Sequence, residues 1–473
     1  MSKQTRSPIK HPLNLVDRGF FLFESDEAYC HVGLRAIFTP PEGAGPEFVR
    51  ELVASMRERH DVAPTFTYTL AHHLPPLLLG PWLQLDPTAV DLDYHFRHSA
   101  LPRPGSQREL GILISRLHSR PLDPSRPMWE QHIIEGLEDG RFALYFKVHH
   151  ALMDGVAGTQ AFIKSLATDP ANPVARPIWT VDPHNTGAGP SVQPRIATLS
   201  TGLRGIVAGV ADAGRLVLDA AKKVSEVRDP KNVLPFGGPT SPTLNGRISR
   251  QRRAVTQTYE LTRLKAVSAA YGVTLNDVFL AICAAALRRY LEDIGEPQVR
   301  SLTAGVPVSL RQPNVAAGGN AVSMVLAKLH TELADPVERL NAINRSTSDG
   351  KAALMRKSPA AREREAVLIA GPLVAQSLLG IAGRGGLPHA NLVLSNVPGP
   401  PAPHYLGGAT LEEAYPLSML MHSQALNITA FSTGGRLNIG IVGCRDKLPH
   451  LQRMANYLAV ALAELEAVAK THV

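Results

Sequence analysis

Apolar residues alternate with polar ones along parts of this chain and recur every three or four positions along others. Val32, Leu34, Ile37 and Phe38 predict a strand over residues 29–40 that stops at Pro40-Pro41. Phe48, Leu52, Val53 and Met56 place a helix over 48–59, and Leu110, Leu113, Ile114 and Leu117 line one side of another that begins after Gly105 and runs into Pro121. Residues 142–150 switch to period two: Leu144, Phe146 and Val148 point one way, Tyr145 and Lys147 the other. A helix from about Gly155 to Leu166 follows directly. Past residue 246 the pattern predicts helices at 261–270, 276–290 and 448–468, and strands at 301–309, 321–330 and 391–396. A hairpin runs from 426–432 through Gly434-Gly435 to 437–442.

Between the two patterned halves the composition changes. Prolines at 170, 173, 177, 183, 190 and 194 crowd residues 169–200. An Ala-, Val- and Gly-rich stretch, 201–227, reads as a helix punctuated by glycine, and a second Pro/Gly-rich patch covers 230–246. The division expected is 1–170, a partly helical crossover over 171–246, and 247–473, with strands and helices mixed in both halves. The fold class is α/β, with mixed sheets flanked by helices.

A length of 473 residues suits two hydrophobic cores better than one. Apolar residues make up 44% and charged residues 19%, which argues against wholesale disorder. The formal charge of +8 favours anionic contacts: a phosphorylated ligand, nucleic acid or an acidic membrane surface. Nucleic acid is disfavoured, because the basic residues are scattered, aromatics are only 5% and no recognition module is present. Cys30, Cys283 and Cys444 lack CxxC spacing and read as reduced structural thiols. No apolar run reaches about 20 residues, so a membrane span is not expected.

One constellation carries chemistry: His149-His150-Ala151-Leu152-Met153-Asp154-Gly155. The alternation puts His150 on the face of Leu144, Phe146 and Val148 and His149 on the other. An imidazole at the exit of a buried strand, neutral near pH 7, suits a general base. Asp154 is expected either to orient the loop by charge or to form a structural pair with a distant arginine, the structural role being favoured. Gly155 is expected to relieve the turn into the next helix. Zinc held by the two histidines and Asp154 is the weaker alternative, since adjacent strand residues point apart and no third ligand follows at a familiar spacing. Trp129 reads as a packing anchor. Asn276 and Asp277 stand at a helix start, where capping is the plain reading.

The HHxxxDG signature resembles that of the bacterial wax ester synthase/acyl-CoA:diacylglycerol acyltransferases, relatives of chloramphenicol acetyltransferase and of peptide-synthetase condensation domains. Other stretches resemble the same family in order along the chain. They are Leu13–Phe23 with His31-Val32-Gly33, Arg126-Pro127-Met128-Trp129-Glu130, Asn276-Asp277-Val278, and Ser395-Asn396-Val397-Pro398-Gly399-Pro400. Cys30 stands where methionine is common and Met128 where leucine is usual.

The resemblance implies two chloramphenicol acetyltransferase-like domains joined by the crossover, with a tunnel between them. It implies an O-acyltransferase that uses acyl-CoA as substrate and a long-chain alcohol or diacylglycerol as acceptor. His150 would be the base and no covalent acyl-enzyme would form. Asn276 would help position the carbonyl or its oxyanion, and Ser395, Asn396, Pro398 and Gly399 would form a fixed loop between domains. Arg247, Arg250, Arg252 and Arg253 are candidates for the CoA phosphates. No cofactor or metal is expected. The enzyme is expected in the cytoplasm, at the inner membrane face or on lipid inclusions, with apolar stripes at Leu203, Ile206, Val207 and Val210 or at Val367, Leu368, Ile369, Leu373 and Val374 available for docking. Two rivals remain: a condensation-type enzyme fed by a carrier protein, and a non-catalytic lipid-binding protein.

Overall fold

The computed structural model describes residues 9–13, 15–71, 80–171, 174–183, 238–309, 322–358, 373, 376–377, 379–385 and 388–471. The predicted helix at 201–227, most of the crossover and the apolar stripes (apart from Leu373) lie outside them. The first half runs β1 (Ile9–His11), α1 (Leu15–Phe23), β2 (His31–Thr39), α2 (Phe48–Arg57), β3 (Tyr68–Leu70), β4 (Trp82–Gln84), α3 (Leu92–His95), β5 (Phe96–Ala100), α4 (Gln107–His118), β6 (Trp129–Glu135), β7 (Phe142–His149) and α5 (Gly155–Lys164). The second half supplies β8 (Arg252–Glu260), β9 (Thr303–Ser309), β10 (Val322–Lys328), β11 (Leu392–Pro398), β12 (Tyr405–Leu406), β13 (Ala409–Leu417), β14 (Leu426–Thr433) and β15 (Arg436–Cys444). Its main helices are Leu261–Tyr271, Leu275–Asp293, Pro336–Arg356 and Gln452–Thr471.

Two six-stranded mixed sheets organise the molecule, in the orders β12-β13-β2-β7-β6-β5 and β10-β9-β11-β14-β15-β8. The first lobe is not contiguous in sequence. β13, from the second half, pairs antiparallel with β2 from Thr410↔Thr39 to Leu417↔Gly33, so the boundary expected near residue 246 separates the chain halves but not the sheets. Periodicity hid β13 because a bulge between Leu411 and Glu413 breaks its alternation. Gly440 marks where the two sheets meet: a Cβ there would stand 1.8 Å from the Pro416 carbonyl oxygen, so only glycine lets β15 pass beneath β13.

β7 is the central strand of the first sheet and is buried along its whole length. Its Phe142, Leu144, Phe146 and Val148 face joins Leu52, Val53 and Met56 of α2 in one core. The opposite face places Ala143 and Tyr145 with Leu110, Ile114 and Leu117 of α4, in the core that continues into the second lobe. α4 is therefore the wedge between lobes. Lys147, fully buried, holds its end: Nζ donates to the carbonyls of Leu117 and Arg120 at 3.2 and 3.1 Å and lies 3.4 Å from Glu130. On the other side, Ser115 of α4 and its C-cap Ser119 accept hydrogen bonds from the Ala254 and Arg252 N–H groups of β8 at 3.0 and 2.8 Å, satisfying that part of the edge strand.

Candidate active site

The two histidines stand where β7 ends, and neighbouring segments fix both backbones. The His149 N–H donates to the Met128 carbonyl at 2.9 Å, and the His150 N–H to the Cys30 carbonyl at 2.8 Å. The chain then turns, and Leu152 and Met153 donate back to the His149 carbonyl.

The side chains diverge, as the alternation predicts. His149 lies against the Phe21 ring at 4.5 Å, and its Nδ1 accepts from the Ala151 N–H at 3.2 Å. Its Nε2 lies 3.2 Å from Glu24 Oε1, out of line for a hydrogen bond. The same carboxylate oxygen accepts from the Cys30 N–H at 2.8 Å. Glu24 thus lies between the loop that holds His150 and the imidazole of His149. No sequence pattern marks it, because its partners come from β7 and the start of β2. Glu24→Ala leaves the Cys30 N–H unbonded and is expected to lower stability by about 1–3 kcal/mol. kcat should fall while KM changes less, since the loss acts through His150 placement; urea melts and initial rates on the same preparation check both.

His150 is half-buried, its ring stacked on Phe20 with centroids 4.1 Å apart and its Nδ1 buried without a hydrogen-bond partner. Burial lowers its pKa to about 4, the Asp154 charge pulling it up and His149 pushing it down. The imidazole is therefore neutral at pH 7 and retains a lone pair for a proton.

Asp154 serves the turn rather than the imidazole. It is the N-cap of α5, its carboxylate accepting from the Ala157 N–H at 2.7 Å. Among the described residues no ion pair joins Asp154 to a distant arginine; its carboxylate is a local cap. The expectation for Gly155 is corrected: its φ is not left-handed and a Cβ would meet nothing within 4 Å, so the turn itself does not demand glycine. A shared zinc site finds no geometry here. His149 faces Phe21 and Glu24, His150 faces Phe20, and Asp154 caps a helix.

Trp129 is fully buried, stacked on His95 and Trp179, with Nε1 donating to the Phe66 carbonyl at 2.9 Å. Thr274, not Asn276, caps the helix Leu275–Asp293, in a capping box with Asp277. Asp277 also accepts from Asn344 and Thr347, which ties that helix to Pro336–Arg356. Asn276 sits in the first turn, and no hydrogen bond or ring contact of the described residues joins it to His150. Ser395, Asn396 and Pro398 belong to β11, paired in parallel with β14 as far as Pro398↔Ser432. Gly399 is required by packing, since a Cβ would stand 2.3 Å from the Ser432 carbonyl oxygen and 2.4 Å from the Phe431 ring.

The four arginines separate. Arg247 pairs with Glu27 at 2.6 Å and Arg250 approaches Asp26 at 3.5 Å, across to the first lobe. Arg252 is buried over Tyr29 and donates to the Glu27 carbonyl at 2.7 Å. Arg253 faces a groove of about 1090 Å³ between α4, β8 and the start of the last helix. A small crevice is lined by Phe23, at the end of α1, with His389 and His422. Neither of these two cavities is lined by His150, and Phe20 covers one face of its ring.

The histidine-bearing strand end belongs to the first of two mixed-sheet lobes. The chain belongs to the wax ester synthase/diacylglycerol acyltransferase family: the model of the family's catalytic domain matches residues 13–279 and that of its C-terminal domain residues 318–466. A Mycobacterium tuberculosis H37Rv protein named "Putative diacylglycerol O-acyltransferase Rv3740c" is 42% identical over 456 residues, covering 95% of this chain and 98% of its own. The "Probable diacylglycerol O-acyltransferase tgs2" of the same strain is 40% identical, covering 95% and 97%. Among solved structures, the wax ester synthase/diacylglycerol acyltransferase of Marinobacter aquaeolei VT8 superposes with a TM-score of 0.79 at 36% identity, covering 97% of this chain and 99% of that one. The first condensation domain of the calcium-dependent antibiotic synthetase, at 17% identity and a TM-score of 0.57, shares the fold.

Proposed function

We propose that this acyltransferase moves a long-chain acyl group from acyl-CoA to a fatty alcohol or to diacylglycerol. The observation that carries the mechanism is the half-buried His150 just past the end of β7, with Nδ1 lacking a hydrogen-bond partner; its burial favours the neutral imidazole. The acceptor hydroxyl gives its proton to His150 as its oxygen attacks the thioester carbonyl. The tetrahedral intermediate collapses, the carbon–sulfur bond breaks, and the proton passes from His150 to the departing thiolate. An oxoester and free CoA result, with no acyl-enzyme and no cofactor. The names of the relatives support both acceptors: those from Mycobacterium are diacylglycerol O-acyltransferases, and the Marinobacter protein is also a wax ester synthase.

The acceptors are lipids, and the proposal includes peripheral docking on a lipid surface. Met355 and Leu379, each 65% exposed, and Ile381, at 45%, are apolar side chains such docking would cover. Among the described residues no single helix is long and apolar enough to cross a membrane.

Initial rates with free palmitoyl-CoA against hexadecanol and dipalmitoylglycerol, with products identified by mass, test the reading. CoA release matched one to one by wax ester, triacylglycerol or both is expected. Turnover only with a carrier-bound donor would favour a condensation-type enzyme, and lipid binding without CoA release a non-catalytic protein.

A further inference from the structure

The groove between α4 and β8 has an unusual charge. Seven of its lining residues are arginines, and among the described residues no aspartate or glutamate lines it. Arg108 and Arg116 lie on one exposed face of α4, and exposed Arg120 follows just past its end. Arg253 and Arg445 face them from the second lobe. Like charges at this spacing repel, so the folded chain alone gains nothing from them.

The floor is more telling. Arg35 of β2 is 4% exposed; its guanidinium donates to the Thr256 hydroxyl at 3.0 Å and to the Gln107 side-chain oxygen and lies 5.2 Å from the centre of the Tyr415 ring, while Glu413, bonded to Tyr415, acts on it only from beyond ion-pair distance. Its Nε is buried with no partner. A buried cation without a carboxylate within ion-pair range is costly, and an anion entering the groove would remove that cost.

We infer that this groove binds the phosphate groups at the nucleotide end of the acyl donor, with Arg35 at its floor and Arg116, Arg120 and Arg253 on its walls. The inference rests on the proposed use of acyl-CoA. The site suits a small phosphorylated molecule better than a membrane, because a flat lipid surface cannot reach a guanidinium at the bottom of a walled groove. Its place along β2 agrees with this. Arg35 is five residues from Cys30, whose carbonyl holds the His150 N–H, or about 16 Å at the rise of a strand. A donor anchored by its phosphates near Arg35 would need an extended arm of about that length for its thioester to reach His150. The assignment keeps Arg253 among the candidate phosphate contacts and replaces Arg247, Arg250 and Arg252, which are engaged with the loop at residues 26–29.

Adenosine 3′,5′-bisphosphate, which has the charge of the nucleotide end but no thioester, is the probe. Calorimetry should show it binding the full chain, with affinity about tenfold or more weaker in Arg116→Gln/Arg253→Gln, whose altered positions lie at the groove wall. In the same variant the preference for palmitoyl-CoA over S-palmitoyl-pantetheine should shrink by about tenfold. Equal bisphosphate affinity in the two proteins, or none in either, would overturn the assignment. So would a variant that loses only its binding to phosphatidylglycerol vesicles, which would make the arginines a lipid-facing patch. The calorimetry needs no turnover, so it reads the groove even if the proposed acyl transfer fails.

Discussion

A His150→Ala protein is expected to make ester about 10²–10⁴-fold more slowly than the unaltered chain, the range that loss of a positioned acid–base group gives. Fold should survive, because β7 is held by its backbone bonds to β2 and β6 and by the Cys30 carbonyl, none of which uses the imidazole. The pH dependence sharpens the test. The active form of the base is neutral, and burial holds its pKa at about 4. The rate should therefore stay flat from pH 8 to about 6 and fall only as the pH approaches about 4, instead of halving near the ordinary histidine value of about 6.5. Rates taken within seconds of a pH jump give the profile before unfolding interferes. Full activity in a folded His150→Ala protein would remove the base from the mechanism; a rate midpoint near 6.5 would contradict its desolvation.

The second large effect is on stability in mild acid. Burial holds His95 and His150 at about 4 and His118 at about 3, with Lys147 lowering His118 further. His422 is held at about 4 by burial and by the Arg247 charge, and His31 is lowered in the same direction by burial and His118. In the unfolded chain each takes its proton near 6.5; in the folded chain it does so only at about 4 or below. Between those values the unfolded state binds more protons, so stability falls as the pH falls. At pH 5.5 each of the four histidines with a stated value withdraws about 1.4 kcal/mol, together about 5 kcal/mol, comparable with the whole stability of many domains. Urea melts at pH 7.5 and 5.5 should show the midpoint dropping sharply. An unchanged midpoint would mean that these imidazoles are not buried in neutral form.

Where side-chain polarity agrees with burial, the elements are legible. β2, α2, α4 and β7 fall within a few residues of their predicted places because their apolar residues do face the cores. β6 escapes the pattern because Glu130, Gln131 and His132 are all buried, with Glu130 lying against Lys147 and His132. Hydrophobic periodicity cannot register a strand whose polar residues find their partners inside the protein. The capping box at Thr274 and Asp277 is a local signal written in four consecutive residues, yet attention to Asn276 passes over it. The family motifs locate His150 and take in Phe20 within Leu13–Phe23, but they leave out Glu24 and Arg35, whose partners come from tertiary packing.

The residue order alone determined the mixed α/β class, the strand that carries the two histidines, their opposite facings and the run that ends in Asp154, because each depends on bonds and periodicities spanning only a few residues. Only the tertiary structure decided that two late strands complete the first sheet, that Glu24 and Phe20 enclose the histidine turn, and that arginines from β2, α4 and β8 line one groove. Those relations join positions up to several hundred residues apart, and packing between lobes, which no local spacing records, sets the distances among them.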